Sequence, residues 1–255
     1  MPANLWTRAR GRWVRTAAQT FFRRPITIDN PSPVISFTFD DFPRSAILTG
    51  GGILRRFGLR GTYYASLGLM GKQGSTGAFF LPEDLKLAFE QEHELGCHTF
   101  EHCDAWVTKT HAFEDSVIEN RRALKELVPE ASFRTLSYPI NLPRLRTKQK
   151  VAKYFTCCRG GGQTLNAGQA DLNCLSAYFL EKSKGDINDP KRLIDENAKA
   201  RGWLIFATHD VSASPSAFGC TPDFFEEVVR YAVNSGARVL PVCKACEVLR
   251  ASSAR

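Results

Sequence analysis

Two short segments hold residues whose types and spacing can do chemistry. Thr38-Phe39-Asp40-Asp41 offers adjacent carboxylates, and His98-Thr99-Phe100-Glu101-His102 offers two histidines four apart. Two imidazoles and one carboxylate suffice to hold a divalent metal with open coordination positions, and such a metal turns water into a nucleophile near neutral pH. The second carboxylate is then left to act as a base.

The spacing sets conditions on the backbone. Histidines at 98 and 102 lie one above the other on a helical turn, and a tight loop gives the same reach. Neighbours on a continuing strand point to opposite faces, so Asp40 and Asp41 share a pocket only where a strand ends. Val34 to Phe39 reads as that strand, and Pro43 stops its ladder. Strand ends are where α/β proteins build sites. Taken singly, an Asp-Asp pair commonly serves a turn or helix cap and a histidine pair commonly sits in a core or on a surface. Their joint occurrence, each at the end of an expected strand, points to a site.

These residues also carry a family resemblance. Thr38 to Asp41, followed about sixty residues later by Gly96-Cys97-His98-Thr99-Phe100-Glu101-His102, resembles the first two signature motifs of the polysaccharide deacetylases, which include nodulation-type chitooligosaccharide deacetylases. Ser137-Tyr138-Pro139-Ile140-Asn141 and Ile205-Phe206-Ala207-Thr208-His209-Asp210 are similar to later motifs, and the likeness spreads from about residue 33 to 249. It implies a single-domain distorted (β/α) barrel of the seven-stranded type, with mainly parallel strands. It further implies that Asp41, His98 and His102 bind the metal, that Asp40 is the base and that His209 is the acid for the leaving amine. The Ile140 backbone amide would help hold the oxyanion, and Phe42, Tyr138, Pro139 and Ala207 would border the substrate. The chemistry asks for the same parts, since an amide leaves badly unless its nitrogen is protonated.

The chain departs from that pattern at several points. Phe42 stands where many members have glycine, and Ser137 where many have an arginine that orients the base. Arg134 is three residues away along a strand and faces the other side, whereas Arg144 and Arg146 on the following loop are candidates to replace it. Ala207 stands where leucine usually meets the acetyl methyl, and the smaller side chain suggests room for a larger acyl group. Asp171, Asp186, Asp189 and Asp195 are all candidates to orient His209.

The elements that must position these groups alternate along the chain, which argues for a mainly parallel sheet. Expected helices cover about 45 to 57, 83 to 94, 113 to 128, 190 to 201 and 222 to 234. Expected strands cover 61 to 66, 95 to 99, 132 to 138, 172 to 180, 203 to 208 and 237 to 242. Between residues 141 and 200 the pattern is weak. Trp106, Tyr178 and Phe218 are candidate stackers for a sugar ring. Cys97 and Cys103 flank the ligand histidines but are expected to pack, as is Cys243-Lys244-Ala245-Cys246, which has no second pair at zinc-finger spacing. His93 and His111 are expected to be solvated or hydrogen-bonded. Neither glycine triplet has the Lys-Ser/Thr of a phosphate loop.

At 255 residues with 43% hydrophobic composition, the chain can bury one sizeable core. The expected organisation is a basic N-terminal segment, residues 1–30, and a catalytic domain, residues 31–255. The net charge is +8, and six arginines fall within the first 24 residues, which hold no acid. On a helical plot Trp6, Trp13, Ala17 and Phe21 share one side and Arg8, Arg12 and Arg15 the other, with Arg10 on the apolar side. Such a helix could rest on an anionic membrane, so peripheral membrane contact through residues 1–24 is an expectation. No run of about 18 apolar residues predicts a membrane span. A secretory signal is not expected, so the eight cysteines read as reduced thiols and the location as cytoplasmic. No nucleic-acid motif accompanies the basic charge.

The leading expectation is a metal-dependent hydrolase that removes acetyl from an N-acetylated amino sugar in a glycan or lipid-linked saccharide. Zinc suits the ligands, and cobalt, nickel or iron suit them equally. The alternatives are hydrolysis of a non-sugar cyclic amide or imide, and a non-catalytic glycan-binding relative; retention of Asp40, Asp41, His98, His102 and His209 argues against the latter.

Overall fold

In the computed structural model, which describes residue 16, residues 20–140 and residues 142–253, strands and helices alternate as the sequence pattern requires. The strands are β1 Pro25–Ile28, β2 Val34–Phe39, β3 Thr62–Ala65, β4 Gln73–Gly74, β5 Gly77–Ala78, β6 Glu94–Cys97, β7 Thr135–Ser137, β8 Cys157–Arg159, β9 Gly168–Asp171, β10 Tyr178–Phe179, β11 Trp203–Thr208 and β12 Arg238–Val239. Seven lie side by side in the order β10-β11-β2-β3-β6-β7-β8, every neighbouring pair parallel. The short β12 joins the start of β2. Just before β10, Leu175 exchanges backbone hydrogen bonds with Cys158 and Gly160 of the far edge. That contact draws the two edges toward each other and curls the sheet into a distorted (β/α) barrel.

Alternation along each strand divides the core in two. Ile35, Phe37 and Phe39 of β2 and Leu204 and Phe206 of β11 face outward into a large cluster under the helices. Val34 of β2 and Trp203, Ile205 and Ala207 of β11 belong to a second cluster on the opposite, inner face. Both faces are covered, which is why β2 and β11 are buried along their whole length.

The helices are α1 Gly52–Arg56, α2 Pro82–Glu90, α3 Thr110–Leu127, α4 Leu145–Val151, α5 Asn188–Ala200, α6 Pro222–Asn234 and α7 Val242–Ser253. In α6, Pro222 supplies a preset first turn and Thr221 accepts a hydrogen bond from the Phe224 N–H. Phe225, Val228, Val229 and Ala232 recur at helical spacing and bury against the β2 phenylalanines; each large one contributes about 2 kcal/mol. α7 plugs the inner face with Val242, Ala245, Cys246 and Leu249. Its first N–H groups are received from within the barrel, Val242 by the Thr62 hydroxyl at 3.0 Å and Cys243 by the Glu94 carboxylate at 2.8 Å.

Several expectations shift at this level. α6 and β11 lie where the spacing put them, because both have sharp boundaries in sequence. The helix expected over 45 to 57 begins as a wider π-helical turn, Ala46–Gly51, before α1. The strand expected over 172 to 180 is a bridge at Leu175 and the two residues of β10, and that over 237 to 242 is only β12. The Cys-x-x-Cys falls inside α7. Strand β1, pairing antiparallel with β9, was not foreseen. It is extended by Arg24, whose backbone N–H reaches Asp171 and whose carbonyl accepts from Leu172. Asp171 is also paired with the fully buried Lys148. Trp6, Trp13, Ala17 and the arginines through Arg15 lie outside the described residues. Among the described residues no helix is long and apolar enough to cross a membrane.

Candidate active site

The groups singled out by type and spacing converge at the C-terminal ends of β2, β6, β7 and β11. Asp40 continues the β2 ladder, its N–H on the Thr208 carbonyl at 2.9 Å, and keeps the inward alternation of Ser36 and Thr38. Asp41 and Phe42 then turn left-handed, with φ of 61° and 49°. That turn resolves the problem of neighbouring carboxylates, since it brings Asp41 back over the end of the strand. Thr99, His102 and Ile140 also have φ between 55° and 65°. Left-handed non-glycine residues cost on the order of 1–3 kcal/mol each and persist where the surroundings dictate them; five of the ten among the described residues fall in these loops.

His98 and His102 reach one point from a loop rather than a helix. The two left-handed residues fold the loop tightly, and the Thr99 hydroxyl accepts from the Cys103 N–H at 2.8 Å to hold it. One Asp41 oxygen lies 3.0 Å from His102 Nε2 and 3.4 Å from His98 Nε2, and the three ligand atoms fall within 4.8 Å of one another. That Asp41 oxygen is buried without a hydrogen-bond partner. His98 Nδ1 lies 2.8 Å from the Ser137 carbonyl, which takes the ring proton on Nδ1 and leaves the Nε2 lone pair toward Asp41. Two imidazole nitrogens that converge on an orphaned carboxylate oxygen fit a divalent cation. Burial alone would raise the Asp41 pKa, but the close approach of His102 and His98 outweighs this and holds it well below the usual carboxylate range. Burial opposes charge on His102, yet Asp41 beside it leaves its pKa raised.

Asp40 is held apart from this cluster. Arg159, 1% exposed, donates to one Asp40 oxygen, and the Ser137 hydroxyl lies 3.5 Å from the other. The guanidinium sits 4.7 Å over the Tyr64 ring. Tyr64 can lie there because Gly96 leaves room: a Cβ at that position would come 2.4 Å from the ring. Arg144, by contrast, donates to the carbonyls of Trp106 and Val107. Neither it nor Arg146 takes the place of an arginine at 137. Sequence reasoning missed Arg159 because β8 is three residues long; the Gly160-Gly161-Gly162 turn directly after it was the available signal.

His209 closes the other side. Its Nδ1 lies 3.2 Å from the Phe218 carbonyl, so a backbone group orients it. The four aspartates considered for that task are engaged elsewhere: Asp171 with Lys148, Asp186 with Asn188, Asp189 with Arg192 and Asp195 with Tyr231. The imidazole stacks on Phe179 at 6.3 Å and tilts against Phe218 at 5.5 Å.

These residues line a cavity of about 720 Å³. Asp40, Asp41, His98, His102 and His209 form its polar end, and Tyr138 and Ile140 also border it, with Ile140 66% exposed. Trp106 and Phe218 line it as well, whereas Tyr178 is buried in the outer core with its hydroxyl on Ser183. Glu181, absent from the sequence reading, borders the cavity with one oxygen buried and unpartnered, and burial raises its pKa. Three residues expected against substrate do not line the cavity. Phe42 is buried in the outer core between Tyr63 and Phe80, because the left-handed turn directs it away from the site. Pro139 is buried with its carbonyl on the Ala105 N–H. Ala207 is buried in the inner core beneath the site, so its small size does not widen the cavity. Cys97 packs in the outer core and Cys103 packs against it.

Comparison with known proteins agrees with this geometry. The polysaccharide deacetylase family model matches residues 27–155, half of the chain. No curated protein matches. Among solved structures, the family 4 acetyl xylan esterase from Clostridium thermocellum, in complex with a cobalt ion, superposes with a TM-score of 0.59 at 14% identity, over 83% of this chain and 89% of that one. The chitin deacetylase from the fungal pathogen Colletotrichum lindemuthianum gives 0.57 at 14% identity, over 86% and 89%. A CE4 family pseudoenzyme from Bacillus anthracis gives 0.57 at 10% identity, over 85% and 66%. At such identities these likenesses carry the fold. The motif match and the barrel together identify the chain as belonging to the polysaccharide deacetylase family.

Proposed function

We propose that the protein is a metal-dependent hydrolase that removes the acetyl group from an N-acetylated amino sugar within a glycan or a lipid-linked saccharide. The observation that carries this reading is the division of labour at the site: Asp41, His98 and His102 share one point, while Asp40 is held separately by Arg159 with both groups facing one cavity.

Asp41, His98 and His102 would hold the cation, zinc by ligand type with cobalt, nickel or iron equally suited. A divalent cation there supplies Lewis acidity toward water and the acyl oxygen. Asp40 takes a proton from the attacking water, and Arg159, which donates to one of its oxygens, orients the carboxylate for that task. The Ile140 N–H, at a left-handed residue on the cavity rim, donates to the developing oxyanion. His209, with Nδ1 turned to the Phe218 carbonyl, presents Nε2 to the cavity and passes a proton to the leaving nitrogen. Tyr138 and Trp106 border the acylated sugar. The basic residues 1–24 support peripheral contact with an anionic membrane from the cytoplasmic side.

The test is an acetate-release screen over chitooligosaccharides, peptidoglycan fragments, acetylxylan and lipid-linked amino sugars, with elemental analysis of the same preparation. Acetate release that a chelator abolishes and added metal restores is the expected result. Unchanged release by Asp40→Asn, or none from any substrate with the metal site filled, would overturn the reading.

A further inference from the structure

The chain leaves its basic N-terminal segment through a clasp formed by α4 and the turn after β9. Lys148 of α4 is fully buried, and its ammonium donates to the Phe21 carbonyl at 2.9 Å and to the Asp171 carboxylate. The Asn173 side-chain amide donates to the Phe22 carbonyl at 2.8 Å. The other Asp171 oxygen accepts from the backbone N–H groups of Arg24 and Asn173, both at 2.9 Å. We propose that Lys148, Asp171 and Asn173 are positioning residues, through which the N-terminal segment, docked at residues 21–24, holds the wall of the catalytic cavity in place. The segment then supports the site rather than serving as a tether alone. The proposal rests on the deacetylase reading above and adds a control on that same site.

The gripped turn, residues 171–175, is bonded directly to two groups of the site. The Asn173 carbonyl accepts from the Tyr138 hydroxyl at 3.2 Å, and Tyr138 borders the catalytic cavity. The Leu172 carbonyl accepts from the Cys158 N–H at 2.7 Å, the Leu175 N–H donates to the Cys158 carbonyl at 2.9 Å, and the Leu175 carbonyl accepts from the Gly160 N–H at 2.9 Å. Those three bonds bracket Arg159, which donates to Asp40. On its other side the Arg159 carbonyl accepts from the Tyr138 N–H at 2.9 Å. Strand β8 is three residues long and ends the row of parallel strands, so the turn is what satisfies its outer backbone groups.

Burial gives the clasp its leverage. Asp171 is 7% exposed and Asn173 6%, and neither is replaced by water at low cost. With residues 21 and 22 gone, the Lys148 ammonium loses one acceptor and the Asn173 amide loses its own. Buried polar groups stranded in this way are costly. The turn relieves them only by moving, and its movement is passed to Tyr138 and to the backbone on both sides of Arg159. A small misplacement of such groups is enough to slow a reaction that depends on their orientation.

The experiment measures kcat and KM on a soluble N-acetylated trisaccharide for the full chain, the chain lacking residues 1–22, Asn173→Leu in the full chain, and the two changes combined, with circular dichroism confirming the fold. Truncation and Asn173→Leu, which keeps the volume but not the donor, are each expected to lower kcat about tenfold with KM within about twofold. The combination should be no worse than either change alone, since both break the same contact. Amide hydrogen exchange supplies a readout that needs no turnover: the Cys158 and Gly160 amides, bonded to the turn, should exchange about tenfold faster in each variant. Full kcat in the truncated chain, with loss only of binding to anionic vesicles, shows the segment to be a tether and overturns the proposal. So do additive losses in the combined variant, or lowered thermal stability with kcat and exchange unchanged. If the truncated chain does not fold, Asn173→Leu decides by the same two readouts. If no substrate releases acetate even from the full chain, the deacetylase reading falls, and exchange at residues 158 and 160 then decides the clasp by itself.

Discussion

Ser137 and Arg159 are register partners on β7 and β8, and both side chains meet Asp40. An arginine thus reaches Asp40 from the strand next to the one on which the resembled motif would place it. It reaches the same carboxylate because adjacent parallel strands present paired residues on one face. Asp40 is 4% exposed and Arg159 1%, so each is the main compensation for the other's buried charge. Arg159→Met should destabilise the fold by about 3–5 kcal/mol. The double variant Asp40→Asn with Arg159→Met should cost clearly less than the sum of the two single changes. Urea denaturation of all four proteins measures the coupling, and strict additivity would show that the pair does not act as a unit.

The ligand and base assignments make opposite predictions for metal content. His98→Ala removes one of three ligand atoms and should lower bound metal at least tenfold. Asp40→Asn leaves the cluster intact, so metal content should stay near that of the wild type while turnover disappears. Elemental analysis after dialysis reads both. Equal metal loss in the two variants would mean that base and ligand roles have been exchanged.

Phe179 links the two ends of the proposed proton path. Its ring lies 5.7 Å from the Arg159 guanidinium carbon and 6.3 Å from the His209 ring at 26°. One side chain thus packs against both Arg159, which holds the proposed base, and His209, the proposed acid. Phe179→Leu keeps the apolar volume but not the flat ring. Activity should fall about tenfold in kcat with KM within about twofold, and the alkaline limb of the pH profile should move. Phe179→Tyr should restore both. A variant that loses thermal stability while keeping kcat and the pH profile would show Phe179 to be filling space only.

The sequence made the strand-end chemistry legible and left its supports obscure. Asp40, Asp41, His98 and His102 announce themselves because their side chains must be these types at these spacings. His209 follows because β11 is a long buried run with a sharp end. Arg159 and Glu181 were hidden because β8 and β10 are only three and two residues long, too short for alternation to be seen. The orienting partner of His209 could not be found among side chains at all, since a backbone carbonyl carries no residue signature. Phe42 and Ala207 were misplaced for a related reason. Their direction depends on a left-handed turn in one case and on strand parity inside a closed sheet in the other.

His93 sets a pH dependence of stability apart from the site. Its Nδ1 accepts from the Gly61 N–H at 3.0 Å, its ring meets Tyr63 edge-on at 5.1 Å, and Nε2 is buried without a partner. Burial first, and then the charges of Arg60 and Arg55, push its pKa from the ordinary 6.5 down to about 4. The folded protein therefore keeps this ring neutral where the unfolded chain takes up a proton. Its contribution is complete above pH 6.5 and is lost as pH falls toward 4, by about 3 kcal/mol across the whole window. Between pH 7 and 5, above most carboxylate titrations, the wild type should lose about 2 kcal/mol more stability than His93→Gln, whose side-chain oxygen can still accept from Gly61. Urea melts of the two proteins at both pH values give the difference directly, and parallel losses would show that His93 is protonated without penalty in the native fold.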